Sequence, residues 1–75
     1  MKLDKNTKHE VEMGDRLKFS DDCICAVVNV IRWADGRHVN AVSYTLRDLR
    51  DGRTIYSMPS SQCYGATIIK RNEEV

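Results

Sequence analysis

Two Asp-Gly-Arg tripeptides constrain the fold of this chain more than any other feature of its sequence. Asp35-Gly36-Arg37 and Asp51-Gly52-Arg53 each lie between two runs rich in β-branched and aromatic residues. Asp-Gly is a strong hairpin signal because both central residues of a type I′ turn need a positive φ, which Asp and Gly tolerate. The pattern therefore predicts an antiparallel β-meander with a tight turn at each tripeptide.

The residues around these turns predict five strands and no helix of ordinary length. In the first strand, Leu17 and Phe19 alternate with Arg16 and Lys18, as in a half-buried strand. Segment 59–65 breaks the alternation and predicts a turn of 3₁₀ helix, because its proline cannot donate to a sheet ladder. The predicted strands cover residues 13–19, 23–33, 38–49, 54–58 and 66–70.

Chain length predicts one domain with one modest core, since there are 75 residues. Residues 1–12 read as a polar N-terminal arm, either loose or paired poorly as a first strand, and residues 72–75 as a polar tail. Five short strands over residues 13–71 usually close into a small barrel, because closure removes exposed strand edges. The predicted fold is all-β, a five-stranded antiparallel barrel.

Charge and hydropathy limit the compartment and the partner. The formal net charge is +1, from 12 basic and 11 acidic residues. A dedicated nucleic-acid binder usually carries a clear basic excess, so this balance disfavours that class unless the charges segregate onto one face. Residues 1–6 lack the apolar run of a signal peptide, and the longest apolar run, residues 23–28, is too short to cross a membrane. We expect a cytoplasmic protein without a membrane partner.

The three cysteines predict packing rather than cross-linking or metal binding. Cys23 and Cys25 lie two residues apart on a predicted strand, and a disulfide between them would close a strained ring. Joined by Cys63 and by His9 or His38, they would make a Cys₃His zinc set, but structural zinc sites usually take cysteine pairs two to four residues apart on a knuckle. We therefore expect three reduced cysteines, no metal and no cofactor.

Several motifs together resemble the SH3-like small β-barrels of the KOW/Tudor type. They are Gly14-Asp15-Arg16-Leu17-Lys18-Phe19, a long valine-rich strand, Tyr44-Thr45-Leu46-Arg47, Asp51-Gly52-Arg53-Thr54-Ile55 and a Pro-Ser turn before the last strand. The resemblance covers residues 13–71 and implies an SH3-like barrel with a 3₁₀ turn before its last strand. It also implies a ligand surface in the groove beside that turn, which Met58 and Tyr64 flank.

A second resemblance concerns an enzyme. Gly14-Asp15-Arg16 and Arg53-Thr54-Ile55-Tyr56 resemble the plasmid-borne type II dihydrofolate reductases, SH3-like barrels that build one active pore from four subunits. In that family a glutamine precedes the Ile-Tyr pair and contacts the ligands, whereas this chain has Thr54 there. Because the departure falls on a functional residue, we expect no enzyme and no catalytic residue. A homo-oligomer that pairs strand edges is still expected.

Aromatic and arginine side chains near the hairpin turns predict the partner-binding surface. Trp, Tyr and Arg are enriched among the residues that dominate protein interfaces. We expect a non-catalytic binding module for a protein partner, such as a small phage- or plasmid-type accessory factor that inhibits or modulates a larger protein machine. The predicted partner-binding residues are Trp33, Arg37, Arg50, Arg53, Tyr56 and Tyr64.

Two alternatives remain open. Arginine-rich hairpin tips beside exposed aromatics also suit single-stranded or RNA partners, although Asp35, Asp48 and Asp51 neutralise part of that charge. The other alternative is capture of a small anionic ligand, such as a nucleotide, at an arginine-lined subunit junction. The basic residues that suggest the nucleic-acid alternative are Arg32, Arg37, His38, Arg47, Arg50, Arg53, Lys70 and Arg71.

Overall fold

Alternating apolar and polar residues build five antiparallel strands in one sheet, in a computed structural model that describes residues 1–33 and 41–71. The strands are β1 (Arg16–Lys18), β2 (Ile24–Trp33), β3 (Ala41–Asp48), β4 (Thr54–Pro59) and β5 (Thr67–Ile69). Two 3₁₀ helices cover Lys8–Glu10 and Ser60–Cys63. The predicted all-β class, the five strands and the 3₁₀ turn before the last strand are confirmed. Within the described ranges, no helix has the length and hydropathy to cross a membrane.

Strand alternation gives the sheet two unlike faces. The strand order is β4-β3-β2-β1-β5. On the inner face, Tyr44 and Leu46 of β3 are fully buried, and Val27 of β2 and Leu17 of β1 are buried with them. Burying each such side chain contributes roughly 1.5–3 kcal/mol to stability. The intervening residues form the outer face, on which Ser43 and Thr45 of β3 are also buried.

The predicted closure into a barrel is wrong, because β4 and β5 are opposite edges of the sheet and do not pair. Cys63 of the second 3₁₀ helix and Leu3 and Val11 of the N-terminal segment are buried in the same core as the strand residues. The core is therefore completed by a short helix and the chain's beginning, and the sheet stays open.

The N-terminal segment is packed against the sheet, so the predicted loose arm is wrong. The Leu3 amide donates to the Ala66 carbonyl at 2.8 Å, and the Ile68 amide donates to the Met1 carbonyl at 2.7 Å. Lys2 forms an isolated bridge with Thr67 of β5. The alternative of a poorly paired strand thus describes the first three residues, which cover the outer edge of β5.

Two side chains from the sheet hold the rest of this segment. The Tyr44 hydroxyl donates to the Lys8 carbonyl at 2.7 Å, and Arg32 Nη2 donates to the carbonyls of His9 at 3.2 Å and Val11 at 3.0 Å. Burial is the largest cause that raises the pKa of Tyr44 well above its ordinary value of 10.0. Tyr44 is therefore a neutral donor across the accessible pH range.

The β3–β4 hairpin lies where the second Asp-Gly-Arg predicts it, but its turn is longer. Residues 49–53 connect the two strands, and only Gly52 among them has a positive φ, at 75°. The Gly52 amide donates to the Asp48 carbonyl at 2.8 Å, and the side chain of Asp51 accepts from the Arg53 amide at 2.9 Å. A two-residue type I′ turn is thus wrong here, because aspartate side chains satisfy the backbone of a wider loop. The first tripeptide lies outside the described residues.

Bulges interrupt two strands. In β2 the register shifts between Val27 and Asn29, which bends the longest strand of the sheet. In β4 the register shifts opposite Thr45, and Ser57 takes a positive φ of 53°. Bulges and prolines are devices that protect an edge strand from pairing with other chains, and β4 has both, since it ends at Pro59.

A buried carboxylate joins the start of β1 to the end of β5. Asp15 Oδ2 accepts from the Glu12 amide at 2.8 Å and from Lys70 Nζ at 2.7 Å, and Oδ1 accepts from the Arg71 amide at 3.0 Å. Burial raises the pKa of Asp15, but the hydrogen bonds from Lys70, Glu12 and Arg71 outweigh it and hold the pKa below the ordinary 3.8. The carboxylate is therefore ionised, and both of its oxygens accept hydrogen bonds.

Replacing the Asp15 carboxylate tests how much it contributes to the stability of the fold. We expect Asp15→Asn to lower the free energy of unfolding by about 2 kcal/mol at pH 7, because charged acceptors contribute more than neutral ones. Since the folded pKa is depressed, the contribution is complete above about pH 4 and is lost as pH falls through the folded value. Urea unfolding from pH 7 to pH 2.5 measures both curves. Equal stability of the two proteins at pH 7 would contradict this assignment.

Candidate functional site

The described members of the predicted partner-binding set lie on several different elements. Trp33 ends β2 opposite Ala41, at the first residue of β3, whereas Arg50 and Arg53 lie in the loop after β3. The length of β3 separates the two groups by about 23 Å. Among the described residues of the set, only Arg50 and Arg53 share a local element.

The two tyrosines of the set lie on other elements, and Arg37 lies outside the described residues. Tyr56 is on the edge strand β4 and is 77% exposed. Tyr64 follows the second 3₁₀ helix and is 41% exposed. The two tyrosines therefore lie on separate elements, and the partner-binding role of the set stays a prediction.

Several basic residues of the first alternative hold the fold together. Arg32 binds carbonyls of the N-terminal segment, and Lys70 Nζ donates to the Glu10 carbonyl at 2.6 Å as well as to Asp15. The side chain of Arg71 lies over Gly14, where an added Cβ would come within 2.8 Å of Arg71 Cδ. The cations of Arg32 and Lys70 are therefore committed to backbone and carboxylate partners of the chain itself.

The described hairpin tip is close to neutral. Arg53 Nε lies 3.5 Å from Asp51 Oδ2. The neighbouring Cys23 thiol and then the charge of Asp48 raise the pKa of Arg50. The loop therefore contains two arginines and one aspartate, and Asp48 ends the strand just before it. This tip does not concentrate positive charge.

A row of cations crosses the outer face instead. Arg16 lies beside buried Leu17, so alternation turns it outward. In the sheet register Arg16 pairs with Ala26 of β2, Ala26 pairs with Arg47 of β3, and Arg47 pairs with Thr54 of β4. Directly paired residues share a face, so Arg16 and Arg47 lie in one row across the sheet.

A second row of cations lies next to the first. Lys18 of β1 pairs with Thr67 of β5, and Thr67 is bridged in turn to Lys2. Lys2 Nζ donates to Thr67 Oγ1 at 3.1 Å, which fixes the ammonium group above the sheet. We name Lys2, Arg16, Lys18 and Arg47 together the basic strip.

No acidic residue occupies an outward position of the described strands outside the bulges. The remaining outward positions are Ile24, Ala26, Asn29, Ile31, Trp33, Ala41, Ser43, Thr45, Thr54, Pro59, Thr67 and Ile69. The charged side chains at outward positions of the described strands, outside the bulges, are therefore all cations.

One anion approaches the basic strip from its margin. Lys18 Nζ lies 3.5 Å from Asp22 Oδ1 in the turn that follows β1, and both side chains are open to solvent. Exposed ion pairs of this kind contribute little energy and exchange readily. On the same face, at the other end of β2, Trp33 is 46% exposed. The outer face thus presents cations, hydroxyls and an indole.

Part of this site was visible in the sequence. The alternation that turns Arg16 and Lys18 away from Leu17 can be read directly, as can the shared face of Arg47 with Ser43 and Thr45. The strand register, which aligns β1 with β3 through Ala26, could not be read. No sequence pattern indicated that Lys2 belongs to this surface, because its position depends on how the N-terminal segment packs against β5.

The three cysteines are free, as predicted, and lie close to one another. Cys23 is half-buried, whereas Cys25 and Cys63 are buried in the core. Burial, followed by the neighbouring Cys23, raises the pKa of Cys25 to about 12, and burial raises the pKa of Cys63 to about 11. The Cys23 thiol donates to Asp48 Oδ2 at 3.5 Å. In the described part of the chain, which includes His9 but not His38, no three His, Cys, Asp or Glu residues could hold a metal ion.

Comparison of the chain with protein-family models, with curated proteins and with solved structures finds no match. The resemblances to SH3-like barrels and to type II dihydrofolate reductases therefore stay predictions. What the outer face does must follow from its geometry and charge.

Burial predicts unequal thiol reactivity. In the native protein at pH 8, we expect Ellman's reagent to titrate Cys23 quickly and Cys25 and Cys63 only after unfolding, because the thiolate is the reactive species and needs access. Peptide mapping by mass spectrometry assigns the labelled residue, and Cys23→Ser is the control that removes the fast phase. A second fast-reacting thiol would contradict the packing described here.

Proposed function

We propose that the protein is a non-catalytic binding module that holds single-stranded nucleic acid on its outer face. The basic strip is the observation that carries this proposal. Proteins that bind single strands combine cations that follow the phosphate backbone with aromatic side chains on which bases stack. The near-neutral net charge of the chain does not oppose the proposal, because the charged residues at outward positions of the described strands are all cations.

The spacing of the strip supports an extended polyanion. Arg16 and Lys18 are about 7 Å apart along β1, and Arg16 and Arg47 are about 10 Å apart across two strand spacings. Trp33 lies about 20 Å farther along the sheet, six residues of β3 from the level of Arg47. A strand of roughly a dozen nucleotides can therefore contact both the cations and the indole.

This surface replaces the hairpin tip as the candidate contact. Arg50 and Arg53 share their loop with an aspartate, whereas Arg47 stands on a face without acidic neighbours in its row. The three free cysteines are also consistent with a reducing compartment, and we place the protein in the cytoplasm on that ground.

Paired arginine variants separate the outer face from the tip. Four phosphate contacts on a single strand give a slope of about −3 in a plot of log Kobs against log salt. We expect Arg47→Ala to reduce that slope to about −2 and to weaken binding of a twelve-nucleotide single strand, because one contact is lost. Fluorescence anisotropy with a labelled oligonucleotide, from 50 to 300 mM salt, measures both quantities.

Arg53→Ala is the matched control, since it removes the same side chain from the tip. Its affinity and salt slope should equal those of the unmodified protein. Binding should also quench the fluorescence of Trp33, the only tryptophan in the chain. If Arg53→Ala weakens binding and Arg47→Ala does not, the outer face is the wrong surface.

A second candidate function is protein binding at β4. Tyr56 is the most exposed of the large apolar and aromatic side chains in the described residues, and the neighbouring Ile55 is 40% exposed. The other sheet edge, β5, is covered by residues 1–3, so β4 is the sheet edge without such a cover among the described residues, and it carries Ile55 and Tyr56. The bulge at Ser57 and Pro59 obstructs strand pairing, so a partner would contact side chains rather than extend the sheet. Such a contact would suit an inhibitor or modulator of a larger protein machine.

Affinity purification from the native host, with and without nuclease, tests this candidate. If β4 is the docking site, a stoichiometric protein survives nuclease and is lost with Tyr56→Ala, because truncating a central aromatic costs about 2 kcal/mol or more of binding energy. Tyr64→Ala is the control, as an exposed tyrosine on another element. If the protein partner is still recovered with both variants, β4 is not the docking site. If nuclease removes every co-purified protein, nucleic acid is the partner.

A further inference from the structure

We infer that the end of the basic strip at Lys2 and Lys18 binds the terminal phosphate of a nucleic-acid strand. This inference rests on the proposed function and names the end of the strand that the site selects. The chemical group is a phosphate monoester, which a strand end, a mononucleotide and inorganic phosphate all present.

A depression of about 230 Å³ marks this end of the strip. Lys2 and Lys18 line it together with the hydroxyl residues Ser20 and Thr67, and Phe19 contributes an apolar wall. Lys2 and Lys18 flank Thr67 on its two sides in the register, about 10 Å apart at their backbones. Long lysine side chains from both sides can therefore meet on one group held between them.

Both ammonium groups are already oriented. Thr67 Oγ1 accepts from Lys2 Nζ at 3.1 Å, and Asp22 Oδ1 lies 3.5 Å from Lys18 Nζ. Asp22 is the one acidic residue in the lining, and its side chain is more exposed than that of Lys18. A bound phosphate can take the place of this solvent-exposed carboxylate, since such a pair contributes little energy.

The position of the depression favours a strand end over an internal phosphate. Cations continue from Lys18 through Arg16 to Arg47 in one direction only, and in the other direction the turn after β1 and the turn at Gly65 form the rim. An internal phosphodiester carries one negative charge, whereas a phosphate monoester carries roughly 1.5 to 2 at pH 7. Two converging lysines match the doubly charged group better than the singly charged one.

Oligonucleotides that differ only at their ends test this inference. Twelve-nucleotide single strands with a 5′-phosphate, with a 3′-phosphate or with hydroxyls at both ends are compared by anisotropy competition at 100 mM salt. We expect one phosphorylated end to bind roughly tenfold more tightly than the hydroxyl-ended strand, as one additional charge-assisted hydrogen bond contributes about 1.5 kcal/mol.

Variants locate the effect. Lys2→Gln and Lys18→Gln should each abolish the preference for the phosphorylated end. For the hydroxyl-ended strand, each variant should reduce the salt slope by no more than the amount that one phosphate contact contributes. Lys5→Gln is the control, as an exposed lysine of the same N-terminal segment outside the depression. It should keep the full preference.

Three results would overturn the inference. One is equal affinity for all three strands, which leaves the proposed function standing. Another is a preference that survives both lysine variants. The last is a mononucleotide or inorganic phosphate that competes as well as the end-phosphorylated strand, which would make the depression a small-anion site. Absence of binding by every oligonucleotide would instead remove the proposed function itself.

Discussion

The buried carboxylate of Asp15 is the interaction on which the rest of the structure depends. It accepts from the backbone just before β1, from Lys70 and from the backbone just after β5, so one side chain fixes where two neighbouring strands begin and end. Burial alone would favour its neutral form, and the three donors reverse that preference. Because β1 is only three residues long, a shift of one residue there would turn Arg16 and Lys18 into the core. The outer face exists because this register is fixed.

An open sheet has two edges to protect, and this chain treats them differently. Residues 1–3 cover the edge of β5, and a bulge with a terminal proline interrupts the edge of β4. Covering β5 also has a functional consequence, because it carries Lys2 to the rim of the outer face. The same backbone hydrogen bonds that complete the core thus complete the basic strip.

Much of the fold could be predicted from local chemistry, and the errors have common causes. Alternation in residues 16–19 predicted the burial of Leu17, and Pro59 predicted the break before the last strand. In β3 alternation was a weaker guide, because the outward Ser43 and Thr45 are buried as well. The position of the turn at Asp51-Gly52 was predicted correctly, but its type was not. Aspartate side chains accept hydrogen bonds from backbone amides of a longer loop, and this loop replaces the two-residue turn. Barrel closure and the loose arm were wrong for one reason. Leu3 and Val11 looked too isolated in sequence to form a core, yet they are buried in the same core as the strand residues.

The sequence by itself determined the strands, the faces of their side chains and the free state of the cysteines, since each depends on neighbours a few residues away. Only the tertiary structure decided which cations share a surface. Arg32 and Lys70 are basic residues like Arg47, and they differ from it in binding carbonyl and carboxylate partners across the fold. Arg16 and Arg47 are far apart in sequence and aligned through Ala26. Such alignment depends on strand register, which is set by long-range pairing and by Asp15, and no local pattern records it.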